Sequence, residues 1–252
     1  GMAVPAVRRI VINGDPTRLG ANLGMLLSAD VAGFALGPAL SAVLVPRMGI
    51  EAPFLVIAAI TLALFPLALR VPVVEGAPDV ERSTETRRLA VDLLSNRALV
   101  AALLMGSAVF LMIGTFDALW AIVLDDLNAS EFVANVGITI FALPLIFLGP
   151  FGGRLAQRVG PFRLGPLGLV AGATFMFMYG LMPTGLAMLA VGTAHALTDG
   201  LTVLSTGVGV AMAEPPARQA SAQGLLGAAE TLTGGITAVL AGVFYDLGGR
   251  TL

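Results

Sequence analysis

The sequence predicts an all-α, polytopic membrane fold, and three observations carry that reading. The 252-residue chain is 57% hydrophobic and 12% charged, with a mean hydropathy of +0.91, whereas soluble domains run at about 45–50% apolar and about 25% charged. Apolar runs long enough for a hydrocarbon core of ~30 Å recur along the chain, separated by turns marked with Gly, Pro and charge. All 14 basic residues are Arg, and counting them on alternate sides of the runs puts twelve on one side, which the positive-inside rule makes the cytoplasmic side.

Residues 1–19 read as the end of an apolar helix and a loop, because Arg8, Arg9, Asp15-Pro16 and Arg18 interrupt the pattern. The first complete span covers about 20–45 and the second 54–71, interrupted only by Pro66. The one long polar stretch, 72–97, holds Glu75, Glu81, Arg87, Arg88 and Asp92; Leu89, Val91, Leu93 and Leu94 allow a short interfacial helix there, with a solvated linker as the alternative. Five further spans follow at about 98–124, 132–152, 164–181, 185–212 and 220–245, making seven complete spans. The acidic turn at 125–131 faces outside. An internal repeat runs through this order: Pro16, Arg18, Gly24 and Asp30 recur as Pro216, Arg218, Gly224 and Glu230, each shifted by 200.

Two motifs carry a resemblance. On a helix, Asp30, Gly33, Gly37 and Ser41 share an arc of roughly 80°, a stripe of small residues suited to close contact between helices in lipid, and Pro38 removes a donor and bends the helix. The spacing Gly24-x8-Gly33-x3-Gly37-Pro38 resembles the antiporter motif on the fifth helix of the drug:proton exporters of the major facilitator superfamily, with Ser41-Ala42 in place of its closing Gly-Gly pair. Residues 153–163 read as a loop, which resembles that superfamily's loop signature, Gly-x3-Asp-Arg-x-Gly-Arg-Arg: it keeps Gly153, Arg158, Gly160 and Arg163, while Gln157 replaces the acid and Pro161 an Arg.

The resemblance implies that the chain spans the end of the fourth helix through the eleventh of a twelve-helix transporter. Residues 1–71 would then be the C-terminal part of the N-terminal transmembrane bundle, 72–97 a cytoplasmic linker, and 98–252 the C-terminal bundle lacking its last helix. It also implies alternating access and proton-coupled efflux of a small, amphipathic molecule across the plasma membrane. The absence of Lys and the richness in Ala, Gly and Val suggest a bacterial inner membrane. A proton-coupled uptake symporter, or a truncated non-transporting membrane protein, is the alternative.

Five ionisable residues fall inside the spans: Asp30, Asp117, His195, Asp199 and Glu230. An acid at mid-membrane costs about 2.5–3.5 kcal/mol on insertion scales, so each needs a partner, water or a function. Asp30 and Glu230 are either packing-face acids or elements of proton coupling and gating, and Asp117 lies near enough to the outer end for hydration in a cavity mouth. His195 and Asp199, four residues apart near the middle of one helix, project to the same face. They are the expected proton-coupling pair, Asp199 carrying the proton and His195 tuning it; the alternative is a hydrogen bond that only fixes the helix.

Other classes of function fit poorly. The net charge of −2 and the lack of a basic run argue against nucleic acid as a partner. Without Cys there is no disulfide, thiolate chemistry or Cys-ligated metal. A serine hydrolase built from Ser205-Thr206-Gly207 and His195 would need a hydrogen bond across ten residues of one helix, about 15 Å. The expectation is therefore no enzyme, no cofactor and no metal, with the lipid bilayer, a small-molecule substrate and protons as partners.

Overall fold

The computed structural model describes residues 3–70 and 92–249, and among them it contains helices, turns and no strand. Helix α1 (Ala3–Gly14) leads through a 3-10 turn (Pro16–Arg18) into α2 (Leu19–Met48) and α3 (Ala52–Ala68). Then come α4 (Arg97–Asp126), α5 (Glu131–Val159), α6 (Pro161–Tyr179), α7 (Gly185–Ala213), a second 3-10 turn (Pro216–Arg218) and α8 (Gln219–Gly248).

The helix starts follow local chemistry. Asn96, Ser130 and Thr184 sit at the N-caps of α4, α5 and α7 in extended conformation, their side chains accepting from Ala98, Val133 and Ala187 backbone N–H groups. Between α5 and α6, Gly160 adopts φ +101° and Pro161 opens the next helix. Asp15 caps the first 3-10 turn by accepting from the Thr17 N–H at 3.0 Å, and the Thr17 hydroxyl beside it holds its carboxyl below the usual carboxylate range.

Six helices are long and apolar enough to cross a membrane, and α3 is apolar but has 17 residues, about 25 Å at 1.5 Å per residue. The seven complete spans expected from sequence therefore become six, with α3 a shorter seventh helix among the described residues. Residues 71–91 lie outside the described residues, and with them Leu89, Val91 and nearly all of the 72–97 linker. Leu93 is buried and Leu94 exposed in the turn that precedes α4.

The 200-residue repeat is visible as structure. The turns Pro16–Arg18 and Pro216–Arg218 each feed a 30-residue helix, Leu19–Met48 and Gln219–Gly248. Each helix ends at a glycine with positive φ, Gly49 at 86° and Gly249 at 65°.

Helix α7 is the hub, packing on α2, α4, α5, α6 and α8; α2 packs most extensively on α5, and α4 on α8. A cluster of Leu99, Leu103, Val210 and Leu226 fills the end where α4 and α8 begin. Trp120, Leu124, Tyr179 and Leu189 fill the other end. A third cluster, Ile12, Leu19, Leu23, Ala156 and Val208, joins α1 and α2 to α5 and α7. Large apolar side chains cover the outside, as on α3, where Phe54, Leu55, Leu62 and Phe65 are all exposed, the surface a bilayer would cover.

Candidate functional site

The close helix contact forms on α2, but not on the stripe expected from sequence. Among the described residues nothing stands near where a Cβ on Gly33 or Gly37 would be, and Asp30 is exposed. The seam with α5 uses Gly20, Gly24, Ser28 and Ala35 instead. A Cβ on Gly24 would overlap the Gly149 carbonyl, one on Gly153 would overlap the Gly20 carbonyl, and the Ser28 hydroxyl lies 3.3 Å from the Leu145 carbonyl. Thr139 donates to the Ala35 carbonyl at 3.3 Å. At 100° per residue this row lies roughly 140° around α2 from the Asp30, Gly33, Gly37 and Ser41 row, nearly the opposite face. Of the stripe's motif, Gly24 alone belongs to the seam, and Pro38 sits within a helix that continues unbroken to Met48.

The loop expected at 153–163 is instead mostly helix, because the helix before it runs on to Val159 and the next one starts at Pro161. Gly153 lies in the seam, Gly160 makes the turn, and Arg158 and Arg163 are exposed. Gln157, standing where the signature has an acid, caps the start of α2: its Oε1 accepts from Gly20 N–H at 2.8 Å, and its Nε2 lies 3.4 Å from the Pro16 and Thr17 carbonyls. The same end holds a second clasp, Arg8 donating to Gln223 at 3.3 Å and Asn13 reaching the Pro216 carbonyl at 3.5 Å. Asn96 bonds both Glu214 and the Ala213 carbonyl at 2.9 Å. Because Arg18, Arg97, Arg158, Arg163 and Arg218 gather here as well, we call this the basic end.

Midway along α7 the two residues singled out by spacing do meet. His195 Nε2 lies 3.3 Å from an Asp199 carboxylate oxygen, the side chains being 3% and 16% exposed. The two atoms are in ion-pair range without hydrogen-bond alignment. On the other edge of the ring, Nδ1 lies 3.0 Å from the Tyr179 hydroxyl, and Phe175 and Tyr179 pack beside the imidazole with centroids 5.7 and 5.6 Å away. A Tyr179 O–H donating to Nδ1 fixes the tautomer that turns Nε2–H toward Asp199.

Sequence reasoning missed Tyr179 and the helix face that carries it. Gly165, Gly168 and Gly172 on α6 let α7 approach: a Cβ on Gly168 would overlap the Thr202 hydroxyl, and one on Gly172 would stand 2.9 Å from Met112 and 3.3 Å from His195 Nε2. Tyr179 is seven residues beyond Gly172, so all four share one face. That spacing was the available signal.

The remaining acids do not join this group. Glu230 on α8 is 5% exposed, against Gly106 of α4. It therefore differs from its repeat mate Asp30. Asp117 is exposed on α4. Among the described residues no three His, Asp or Glu come together as a metal site.

A profile of the Major Facilitator Superfamily matches residues 108–251, which include Asp117, His195, Asp199 and Glu230. No curated protein and no solved structure matches the chain. With a family match over more than half of its length and six apolar helices of membrane-spanning size, the chain belongs to the Major Facilitator Superfamily of membrane transporters for small molecules.

Proposed function

We propose that the chain works in proton-coupled export of small amphipathic molecules, with Asp199 carrying the coupling proton and His195 tuning it. The observation that carries this reading is the buried His195, held at mid-α7 between the Tyr179 hydroxyl and the Asp199 carboxylate. The three groups form a line along which one proton changes every partner's role. When the imidazole is neutral, Nδ1 accepts from Tyr179 and Nε2–H faces Asp199. When it is charged, both ring nitrogens donate, and the Tyr179 hydroxyl must turn to accept. The state of the pair therefore bears on the α6–α7 contact through Tyr179.

Alternating access by rocking of two bundles about a mid-membrane site would break the clasps at the basic end, Arg8 to Gln223 and Gln157 to the start of α2. The basic end is the cytoplasmic one on the Arg count, so that the 72–97 linker is cytoplasmic; the lack of Lys and the richness in Ala, Gly and Val favour a bacterial inner membrane. Export rather than uptake rests on the resemblance of the Gly24 to Pro38 pattern to the antiporter motif. Glu230, against the basic-end clasp, is a gating acid in this reading; Asp30 and Asp117 are hydrated acids of secondary weight.

The test uses the chain reconstituted in liposomes with the amphipathic dye Hoechst 33342 and an imposed pH gradient. The wild-type chain is expected to concentrate dye in response to the gradient. Asp199→Asn is expected to exchange dye down its own gradient and to ignore the pH gradient. An Asp199→Asn protein that still concentrates dye when only a proton gradient is supplied would rule Asp199 out.

A further inference from the structure

One face of α5 pairs bare aromatic rings with bare positive charge. Phe147, Phe151, Arg154 and Arg158 are all exposed, the two rings at 69% and 62%. At 100° per residue the four share an arc of roughly 60°, about 130° around the helix from Gly149, Gly153 and Gln157, which face α2. The rings therefore stand toward mid-helix and the guanidiniums toward the basic end, where α5 closes at Val159.

Arg154 does not reach for that end. Its guanidinium carbon lies over the Phe151 ring, 4.7 Å from the centroid, and its Nε donates to the Pro150 carbonyl at 3.2 Å. The side chain is thus folded back toward mid-helix from a position five residues, roughly 8 Å, inside the helix end, where a long basic side chain ordinarily snorkels outward to water. With Nε engaged, the two Nη groups remain as donors on the outer face, and Arg158, one turn on, adds a second cation. Among the described residues neither has a carboxylate in ion-pair range, the ion pairs there being His195 with Asp199 and Arg218 with Glu214. A cation held against hydrocarbon needs a counter-charge, and a planar guanidinium fits the oxygens of a phosphate two at a time.

We infer that this face of α5 binds an anionic phospholipid of the leaflet at the basic end, its phosphate held by Arg154 and Arg158 and an acyl chain lying along Phe151 and Phe147. The site shares no residue with the proposed coupling pair on α7, so either can fail without the other.

Native mass spectrometry of the purified full chain in detergent, titrated with phosphatidylglycerol or phosphatidylcholine, measures the binding. Phosphatidylglycerol is expected to reach half-occupancy at about tenfold lower concentration than phosphatidylcholine, and Arg154→Gln and Arg158→Gln are each expected to cut that preference by about threefold. Both positions are exposed, so neither substitution disturbs the core. Arg97→Gln, which removes an equally exposed charge of the same end from α4, should leave the preference unchanged. A second arm locates the lipid. The chain's one tryptophan is removed by Trp120→Phe and a reporter indole placed by Phe151→Trp; phosphatidylglycerol with brominated acyl chains should then quench the reporter more than equally brominated phosphatidylcholine at the same mole fraction. Equal affinity for the two lipids would overturn the inference, as would equal quenching by them. An equal loss in Arg97→Gln would show diffuse attraction to the whole basic end, and displacement of the lipid by inorganic phosphate would show an anion site without a lipid's chains; either contradicts the proposal.

Discussion

Substituting Gly24 with Ala tests the seam between α2 and α5 at its tightest point. The added Cβ would overlap the Gly149 carbonyl oxygen and stand 2.5 Å from its carbon and 2.8 Å from Pro150 Cα, where ordinary contact begins at 3.4 Å. These neighbours are backbone, which cannot swing aside as a flexible side chain can, so the helices must separate by close to an ångström along this stretch. Overpacking of this kind costs typically 1–3 kcal/mol. Placed on a contact that belongs to one conformation of a rocking transporter, the same energy shifts the ratio of conformations by about 5- to 150-fold. The Cys-free background allows spin labels at Gly14→Cys and Arg158→Cys, both exposed at the basic end on either side of the seam. In electron–electron resonance the Gly24→Ala chain is expected to lose the short-distance population and gain a longer one, with transport impaired and insertion normal. An unchanged distance distribution and unchanged transport in a normally expressed Gly24→Ala protein would refute the claim that this seam is closed by backbone contact.

Other outcomes follow from the same geometry. Gly37→Leu, on the face roughly 140° away and with no described residue close to its side-chain position, should leave expression, labelling distance and transport near wild type, and loss of transport comparable to that of Gly24→Ala would show that the exposed row has a partner of its own. Gln157→Ala removes the acceptor for Gly20 N–H and the donor to the Pro16 and Thr17 carbonyls; a shift of about 1 kcal/mol toward the open basic end is expected from one lost cap, read by the same spin-label pair. Tyr179→Phe strips the imidazole Nδ1 of its partner and should lower thermal stability in detergent by about 1–3 kcal/mol, whereas Phe175→Leu, which keeps that bond, should cost less. Single cysteines at Gly14 and Asn128 should differ in labelling by an impermeant thiol reagent on intact cells, Asn128 reacting and Gly14 not; the reverse would invert the assigned orientation.

Much of this architecture was legible in the sequence because a bilayer imposes a coarse code. Run length and polarity located most helices to within a few residues, as with 185–212 against Gly185–Ala213, though the span expected to end at 152 runs on to Val159; a four-residue spacing brought His195 and Asp199 together. The repeat inferred from Pro16, Arg18, Gly24 and Asp30 reappears as matching turns, helix lengths and glycine caps. What sequence could not decide was which way a helix turns its small residues. In α2 both the Gly20, Gly24, Ser28 row and the Gly33, Gly37 row are small enough for close packing, and the partner's own glycines, Gly149 and Gly153, select the first. Tyr179 was missed for a related reason: its hydroxyl gains meaning only once Gly165, Gly168 and Gly172 bring α6 against α7. Asp30 and Glu230, equivalent in the repeat, part company: among the described residues Glu230 packs against a glycine, Gly106, while Asp30 is exposed.

Proton coupling through α7 requires that Asp199 exchange a proton while paired with His195. Infrared difference spectroscopy of the full chain in lipid, taken across a pH titration, reads that proton directly through the C=O stretch of a protonated carboxyl. A carboxyl band that appears and vanishes reversibly with pH, is missing from Asp199→Asn and moves to a different midpoint in His195→Ala is the predicted result. A titrating band unchanged in both variants, or no band attributable to Asp199 at any pH, would contradict it.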